Sequence, residues 1–282
     1  MKFYHSGNQK FAALIAASFL FMSCTSYGGI EDTIVKTFTV APGGMLALKS
    51  DTGSIEIYGK AGNDVKVEVI REVKTGSEKK AQDLLKDFDI RFNQKNGDVL
   101  IEAEHRKKGW ERFWDNIGKH LRVKFVISVP ERYNLDLETK GGSISIDSLL
   151  GDIEAKTSGG SIRITRAGGA VDAHTSGGSI TVEDVMGIIK AHTSGGSVIA
   201  NISRQPDSDC RLTTSGGSIT VYLKQDIGMY VDAHTTGGRV TADFPLALKG
   251  NISKNALKGE MNNGGPELYL RTSGGSIYLK RF

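Results

Sequence analysis

Histidines and carboxylates recur at regular spacing in the second half of this 282-residue chain, and both side-chain types could do chemistry. His174, His192 and His234 each precede the threonine of a repeated motif. If each repeat is one coil of a stack, His174 and His192 lie about 5 Å apart, close enough to share a metal ion with Asp172. The equivalent positions elsewhere vary widely, which favours a solvated surface row over a metal site: Glu138, Lys156, Thr213 and Arg271.

A second row lies two residues upstream and contains three acids, Asp136, Glu154 and Asp172. Stacked carboxylates suggest a polysaccharide hydrolase or lyase, because glycosidases cleave their substrates with a pair of carboxyl groups. These acids would be evenly stacked beside basic residues, however, and the pattern predicts no cleft around them. The serines that follow a glycine recur in coil after coil, which argues against a nucleophile. We therefore predict a non-catalytic protein without a cofactor.

The elements that would position these side chains follow from the tetrad Thr-x-Gly-Gly, which occurs seven times between residues 139 and 275. Its threonines are 18, 18, 18, 21, 21 and 37 residues apart. A fixed period near twenty is typical of solenoids, in which every repeat forms one coil. A motif present in every coil indicates scaffold rather than a site. The threonines are Thr139, Thr157, Thr175, Thr193, Thr214, Thr235 and Thr272.

Each coil reads as two corners and two short strands. Period-two alternation in the coil that starts at Thr175 directs four apolar side chains inward, namely Ile180, Val182, Ile189 and Ala191. We expect the glycine pair to allow positive φ angles and a tight turn at one corner, where a side chain would strike the coil above. Crossover chirality favours right-handed winding of parallel strands. The prediction is an all-β fold, a right-handed, single-stranded parallel β-helix or β-solenoid of about 18–21 residues per coil over residues 136–282.

Residues 35–135 are less regular and are predicted to form a β-rich N-terminal region that caps the solenoid and contains one or two short helices. Ser77 is a helix N-cap, and Ala81, Leu84, Leu85 and Phe88 form the apolar stripe of a helix that ends near residue 88. Alternating apolar residues predict strands at 45–58 (two strands), 65–73, 99–104 and 123–129.

The first 23 residues have the pattern of a secretory signal. Basic residues precede an apolar run from Phe11 to Met22 that is too short for a transmembrane helix. Phe21-Met22-Ser23-Cys24 resembles the lipobox of bacterial lipoproteins, which implies that Cys24 is the lipidated first residue of the mature chain. The alternative is an ordinary secretory signal with a chance cysteine. Residues 24–34 are predicted to be a tether, and the protein an exported outer-membrane lipoprotein facing the periplasm or the cell surface.

Two irregular segments are candidate binding sites. Trp110, Phe113 and Trp114 fit one face of a short amphipathic helix among basic residues, so this segment either touches lipid or caps one end of the solenoid. The gap of 37 residues before Thr272 indicates an insertion at 244–262 in one coil. An insertion that interrupts a regular surface is a candidate binding loop, and its lysines are Lys249 and Lys254.

Composition sets limits on the partner. The formal charge of +4 falls to +2 without residues 1–23, because that segment holds two lysines and no acid. This balance argues against nucleic acid as a partner, since a nucleic-acid binder needs a strongly basic face. The predicted partners are the membrane, through the lipid on Cys24, and a glycan or protein on the cell surface or in the periplasm. With Cys24 lipidated, Cys210 is left as a small core residue.

The chain resembles the bacterial putative-adhesin domain family of envelope proteins over residues 35–282. The resemblance rests on Asp51-Thr52-Gly53-Ser54-Ile55-Glu56-Ile57, on Val126-Ile127-Ser128-Val129-Pro130 and on the Thr-Ser-Gly-Gly-Ser-Ile series. It implies a β-helical, non-catalytic, envelope-exposed protein and no catalytic residues. The expected function is a binding or adhesion module. The alternatives are a periplasmic partner in envelope-stress sensing and a carbohydrate-active enzyme.

Overall fold

A computed structural model of the chain describes residues 20–26, 29–106, 120–248 and 253–282. Within these ranges the protein is all-β, as expected, and consists of two twelve-stranded sheets and one helix. Both sheets are mixed, with parallel pairing in their middle; pairing is antiparallel at one end of the first sheet and at both ends of the second. No helix in the described part is long and apolar enough to cross a membrane.

The first sheet contains, in spatial order, β1 (Leu20–Ser26), β2 (Gly29–Thr39), β5 (Asp64–Val73), β8 (Leu121–Pro130), β4 (Ser54–Lys60), β10 (Ile144–Leu149), β12 (Ile162–Ala167), β14 (Ile180–Val185), β16 (Val198–Ile202), β18 (Ile219–Leu223), β24 (Ile277–Arg281) and β20 (Val240–Ala242).

The second sheet contains, in spatial order, β21 (Ala247–Leu248), β22 (Ala256–Met261), β19 (Met229–Thr235), β23 (Glu267–Thr272), β17 (Cys210–Thr214), β15 (Ile189–Thr193), β13 (Val171–Thr175), β11 (Ile153–Thr157), β9 (Asn134–Thr139), β3 (Met45–Ser50), β7 (Asp98–His105) and β6 (Phe88–Lys95). Helix α1 (Glu78–Asp87) precedes β6.

The core lies between the two sheets and is filled by the predicted inward side chains. Ile180 and Val182 of β14 and Ile189 of β15 are fully buried, and Ala191 is 3% exposed. Cys210 is likewise buried and free, which agrees with its prediction as a core residue. Burial of each such Ile or Val side chain contributes about 1.5–3 kcal/mol. One continuous cluster extends from Val40 to Leu279, so the ranges 35–135 and 136–282 share a core.

The repeat threonines join neighbouring coils, where a coil is one second-sheet strand, a Thr-x-Gly-Gly corner and one first-sheet strand. Thr193 donates a hydrogen bond from Oγ1 to the carbonyl oxygen of Gly178 (2.7 Å) in the coil before, and accepts one from the N–H of Gly196 (3.3 Å). The same pair of bonds recurs at Thr157, Thr175, Thr214, Thr235 and Thr272. These hydroxyls are therefore used by the fold.

The prediction for the repeat glycines is confirmed in its steric part and wrong in its backbone angles. None of the Thr-x-Gly-Gly glycines has a positive φ, although Gly53 in the single-glycine version of the motif does, at 114°. A Cβ atom on Gly178 would instead overlap the carbonyl carbon and oxygen of Gly160 in the preceding coil. The glycine is required because backbone approaches backbone there. Positive φ angles occur at the opposite corner on non-glycine residues, Ser148, Arg166 and Asp184.

The coils do not stack in the order in which the chain forms them. They follow chain order as far as β17 and β18. The next coil is the C-terminal one, β23 and β24, and the coil of β19 and β20 comes after it. We expected the chain to advance across the insertion at 244–262, but it turns back, because β22 occupies the outer edge of β19 and leaves the inner edge to β23.

The insertion itself closes the end of the stack. Strands β21 and β22 form an antiparallel pair, and β22 pairs with β19 from Met229–Met261 to His234–Ala256. The edge of β20 is partly covered as well, since the N–H of Val240 donates to the carbonyl of Lys254 (3.0 Å). The predicted binding loop is thus largely a cap, which protects sheet edges from pairing with other chains.

The N-terminal region matches the predicted elements closely. Helix α1 is capped by Ser77, whose Oγ accepts a hydrogen bond from the N–H of Lys80 (3.4 Å). Strands β3 and β4 form the first coil around the Asp51-Thr52-Gly53 corner. Strand pairing begins earlier than predicted, because β2 starts at Gly29, within the range 24–34 assigned to a tether.

Candidate binding face

The outward side of the second sheet between β9 and β22, here called the binding face, carries the predicted histidines and acids. Strand register places side chains in rows that cross the coils. The first row runs, in spatial order, Asp136, Glu154, Asp172, Lys190, Arg211, Tyr269, Asp232 and Lys258. The second row runs Glu138, Lys156, His174, His192, Thr213, Arg271 and His234.

A groove of about 460 Å³ crosses the N-terminal half of this face, where the sequence predicted no cleft. Its lining combines apolar and acidic side chains and ends at Lys190, and includes Met45, Asp136, Asp152, Glu154, Asp172 and Ile188. Such a groove offers carboxylate acceptors together with apolar surface. The predicted acid row is therefore brought together, across three successive strands.

Two acids of the groove, Glu154 and Asp172, contact neighbouring side chains. The hydrogen bond from Lys156 holds the pKa of Glu154 below its ordinary value and raises the pKa of Lys156. His174 Nε2 lies 2.7 Å from Asp172 Oδ1. A general acid of a glycosidase requires a raised pKa, so Glu154 has the opposite character.

The two histidines named as metal candidates are neighbours. The rings of His174 and His192 have centroids 5.9 Å apart, and His192 Nδ1 lies 2.7 Å from Thr213 Oγ1. His174 is engaged with Asp172. Over the described ranges, no group of three or more His, Cys, Asp or Glu side chains is arranged to hold a metal ion.

The C-terminal half of the binding face is basic. The guanidinium carbon of Arg211 lies 4.1 Å from the centre of the Tyr269 ring, and that of Arg271 lies 3.9 Å from the same ring. Cation–π contacts of this kind hold a guanidinium group in a defined orientation. Arg211 and Tyr269 are paired in register even though they are 58 residues apart in sequence, because β23 is inserted beside β17.

Asp232 is a carboxylate of this basic half and is more buried than the cations around it. Arg271 Nη2 is 2.9 Å from its Oδ1, and Lys258 Nζ is 2.7 Å from its Oδ2. Burial alone would raise the pKa of Asp232, but the bonds from Lys258 and Arg271 outweigh burial and lower it. Asp232 thus holds two cations, one on each adjacent strand.

The remaining predicted site residues lie elsewhere. Trp110, Phe113, Trp114 and Lys249 fall outside the described residues. Lys254 is exposed on the cap, away from the binding face. Cys24 lies in β1, where it pairs in register with Glu31.

Sequence reasoning missed Arg211, Tyr269 and Lys258 as members of one cluster. If the coils stacked in chain order, Asp232 would follow Arg211 directly in the first row. The only available signal was the 37-residue gap, which shows that regular stacking is interrupted but not where the chain goes.

No family model and no curated protein matches this sequence. Solved structures with a similar arrangement include a putative cell adhesion protein from Clostridium sporogenes, 16% identical, with a TM-score of 0.40, over 88% of this chain and 99% of the other. A putative adhesin from Bacteroides fragilis is 14% identical, with a TM-score of 0.41, over 88% and 96% of the two chains.

A putative lipid binding protein from Parabacteroides distasonis is 14% identical, with a TM-score of 0.35, over 88% of this chain and 96% of the other. The adhesin descriptions among these neighbours match the family that the sequence motifs resemble. TM-scores below 0.5 do not define what this chain binds, so its function is argued from its own surface.

Proposed function

We propose that this chain is an exported, non-catalytic binding protein of the cell envelope that presents the binding face to an extended ligand. The observation that carries the proposal is the groove of about 460 Å³ on the outward side of the second sheet. Its acids Asp136, Glu154 and Asp172 lie outside the core, whereas the threonines and glycines of the repeats join the coils.

The proposed architecture is a right-handed β-solenoid built from the two sheets. Parallel pairing of successive coils through matched rows of threonine, for example Thr157 with Thr175 and Thr175 with Thr193, supports this architecture. A solenoid presents a long, stiff surface whose rows repeat every coil, which suits a polymeric or surface-bound ligand. We place the lipid anchor on Cys24, so that the chain is attached to the membrane at its N-terminal end.

Binding without turnover is supported by the state of the acids in the groove. Glu154 is paired with Lys156 and has a lowered pKa, while Asp172 is engaged with His174. None of these contacts prepares a carboxyl group to protonate a leaving group. The groove is therefore suited to accept hydrogen bonds from ligand hydroxyl groups.

The test is a binding screen of the full chain against a panel of neutral and acidic envelope glycans, with product analysis of every glycan that binds. We expect binding without cleavage, and loss of binding in the double variant Asp136→Ala and Asp172→Ala. The matched control is Glu183→Ala, an acid on the outward side of β14 in the first sheet. Cleavage that disappears in Glu154→Gln would replace the binding role with an enzymatic one.

Where the protein acts is a separate test. External protease applied to intact cells should degrade the chain if the binding face is at the cell surface. A chain that survives until the outer membrane is permeabilised acts in the periplasm instead.

A further inference from the structure

The basic half of the binding face contains two cations that no described carboxylate engages. Lys190, Arg211 and Lys258 share a row with Asp232, and Arg271 lies on the strand next to Asp232; Glu260 and Glu267 are on the outward side of the same strands. Asp232 binds Arg271 and Lys258. Over the described residues, Lys190 and Arg211 form no ion pair with any carboxylate, and both side chains are exposed. These two cations are available to a ligand.

Arg211 is held in an orientation that suits an oxyanion. Its guanidinium group lies against the Tyr269 ring at 4.1 Å, and Arg271 lies against that ring at 3.9 Å. A guanidinium group in a cation–π contact still presents its N–H donors at its edge, where they match the two oxygens of a carboxylate or phosphate. Because the contact restricts Arg211 before binding, less conformational entropy is lost when an anion binds.

The acids near this cluster limit where the anion can lie. Asp209 immediately precedes β17, two residues before Arg211, and Glu267 begins β23, two residues before Tyr269. The Oδ1 atom of Asp209 accepts a hydrogen bond from the N–H of Glu267 (2.7 Å). This bond holds the Asp209 carboxylate at the ends of the two strands. Repulsion from these two acids directs an anion toward the other side, where His192 and Thr213 lie.

The basic half of the binding face is continuous with the groove through Lys190, which lines the groove and pairs in register with Arg211. A ligand that spans both must donate hydrogen bonds to carboxylates along the groove and present an oxyanion at its far end. A peptide strand rich in acids would be repelled by Asp136, Glu154 and Asp172. A polyhydroxylated chain with an acidic unit satisfies both halves.

We propose that Lys190, Arg211 and Tyr269 form a subsite for the carboxylate or phosphate of an acidic glycan, whose neutral sugar units lie in the groove. This assignment rests on the binding role proposed above and names the ligand class for the same face. The ligand does not contact the three neighbouring charged residues, which position the Tyr269 ring and contribute to the local electrostatic potential: Arg271, Asp232 and Lys258.

The probe is a pair of oligosaccharides that differ in one charge, titrated against the full chain by calorimetry: a tetrasaccharide with three neutral galactose units and one terminal galacturonic acid, and the methyl ester of the same tetrasaccharide. The acid should bind about tenfold or more tightly than the ester, because a charge-assisted bidentate contact is lost in the ester. The difference should shrink as salt rises, since exposed charges are screened.

Substitutions at Arg211 test whether the subsite causes the difference in affinity between the acid and the ester. Arg211→Gln should abolish the preference for the acid while leaving affinity for the ester unchanged. Arg211→Lys should retain part of the preference, because it keeps the charge and loses the planar donor pair. The control is Arg163→Gln on the outward side of the first sheet, which should change neither affinity. Circular dichroism and the melting temperature establish that each variant folds.

Equal binding of acid and ester by the unaltered chain would overturn the subsite and leave the binding role intact. If the chain binds neither oligosaccharide and the glycan screen is also negative, both proposals are wrong. Two further titrations test whether the anion comes from a source other than a glycan. Equivalent Arg211-dependent binding of inorganic phosphate alone, or of phosphatidylglycerol vesicles in preference to the oligosaccharide, would overturn the glycan assignment.

Discussion

Thr272 donates a hydrogen bond from Oγ1 to the carbonyl oxygen of Gly217, 55 residues earlier, at 2.7 Å. On the other side of the same coil, Thr235 donates to Gly275 at 2.6 Å. The last repeat in the chain is therefore held between two coils that the chain forms before it. Because β19 and β20 pair with the stack only through β23 and β24, the C-terminal coil fastens residues 229–261 to the rest of the described structure.

Removal of residues 266–282 should detach more than the deleted coil. We expect the segment 229–261 to lose its sheet pairing, and the edges of β17 and β18 to become open to other chains. Limited proteolysis with mass spectrometry should show new cleavage between residues 224 and 261 and none in β9–β16. Deletion of Phe282 alone is the control, since this exposed residue lies beyond β24. An unchanged pattern after the larger deletion would contradict the stacking order.

Alanine at a repeat glycine should be strongly destabilising. A Cβ atom at position 178 would overlap the Gly160 backbone, so Gly178→Ala must push two coils apart. The expected loss is about 1–3 kcal/mol in the free energy of unfolding. The matched control is Gly76→Ala, where no atom lies within 4 Å of the new methyl group. Urea unfolding followed by circular dichroism gives both values, and equal midpoints would show that the coils tolerate the methyl group.

Loss of one repeat hydroxyl should also be destabilising, even when the shape of the side chain is kept. Thr193→Val preserves the volume of a fully buried side chain but leaves the Gly178 carbonyl and the Gly196 N–H without this partner. We expect a loss of about 1–3 kcal/mol, the usual cost of leaving buried polar groups unsatisfied. Thr181→Val, on the outward side of β14, is the control and should change the unfolding midpoint little. Comparable stability of the two variants would argue that the hydroxyl ladder contributes nothing.

The ion pairs of Asp232 should make stability depend on pH in the acid range. The pKa of Asp232 is lower in the folded chain than its ordinary value of 3.8. The stabilisation is therefore fully present above that ordinary value and is lost as pH falls through the lower, folded pKa. Melting temperatures between about pH 2 and 6 should fall less steeply for Asp232→Asn than for the unaltered chain.

The control for this prediction is Asp207→Asn, which alters an exposed acid without an ion pair in the part of the chain that the structure describes. Its melting temperature should fall as steeply at low pH as that of the unaltered chain. If the melting temperatures of all three proteins fall equally steeply, Asp232 is not the cause of the pH dependence.

Lipid attachment at Cys24 predicts a change in solubility. The unaltered protein, expressed in a bacterium with lipoprotein processing, should enter the detergent phase in Triton X-114 partitioning, and Cys24→Ser should move it to the aqueous phase. The control is Cys210→Ala, because Cys210 is buried in the core, where burial raises the pKa of its thiol and keeps it unreactive. Equal partitioning of unaltered protein and Cys24→Ser would refute the anchor.

Local patterns were sufficient for much of this fold. The alternation around Ile180 and Val182 predicted which side chains are buried, and Ser77 with the stripe from Ala81 to Phe88 predicted helix α1. Both depend on the period of one strand or one helix, which neighbouring residues determine. The acid row was also predictable, because identical spacing places Asp136, Glu154 and Asp172 on adjacent parallel strands.

What the sequence determined by itself was the repeat, its inward face and the rows that follow from its period. Tertiary structure alone decided that β23 lies between β17 and β19, and hence that Tyr269 stands beside Arg211. All repeats carry nearly the same corner, so any coil can stack on any other and the motif does not specify order. The order was set instead by the pairing of β22 on the outer edge of β19, a long-range contact that no local pattern encodes.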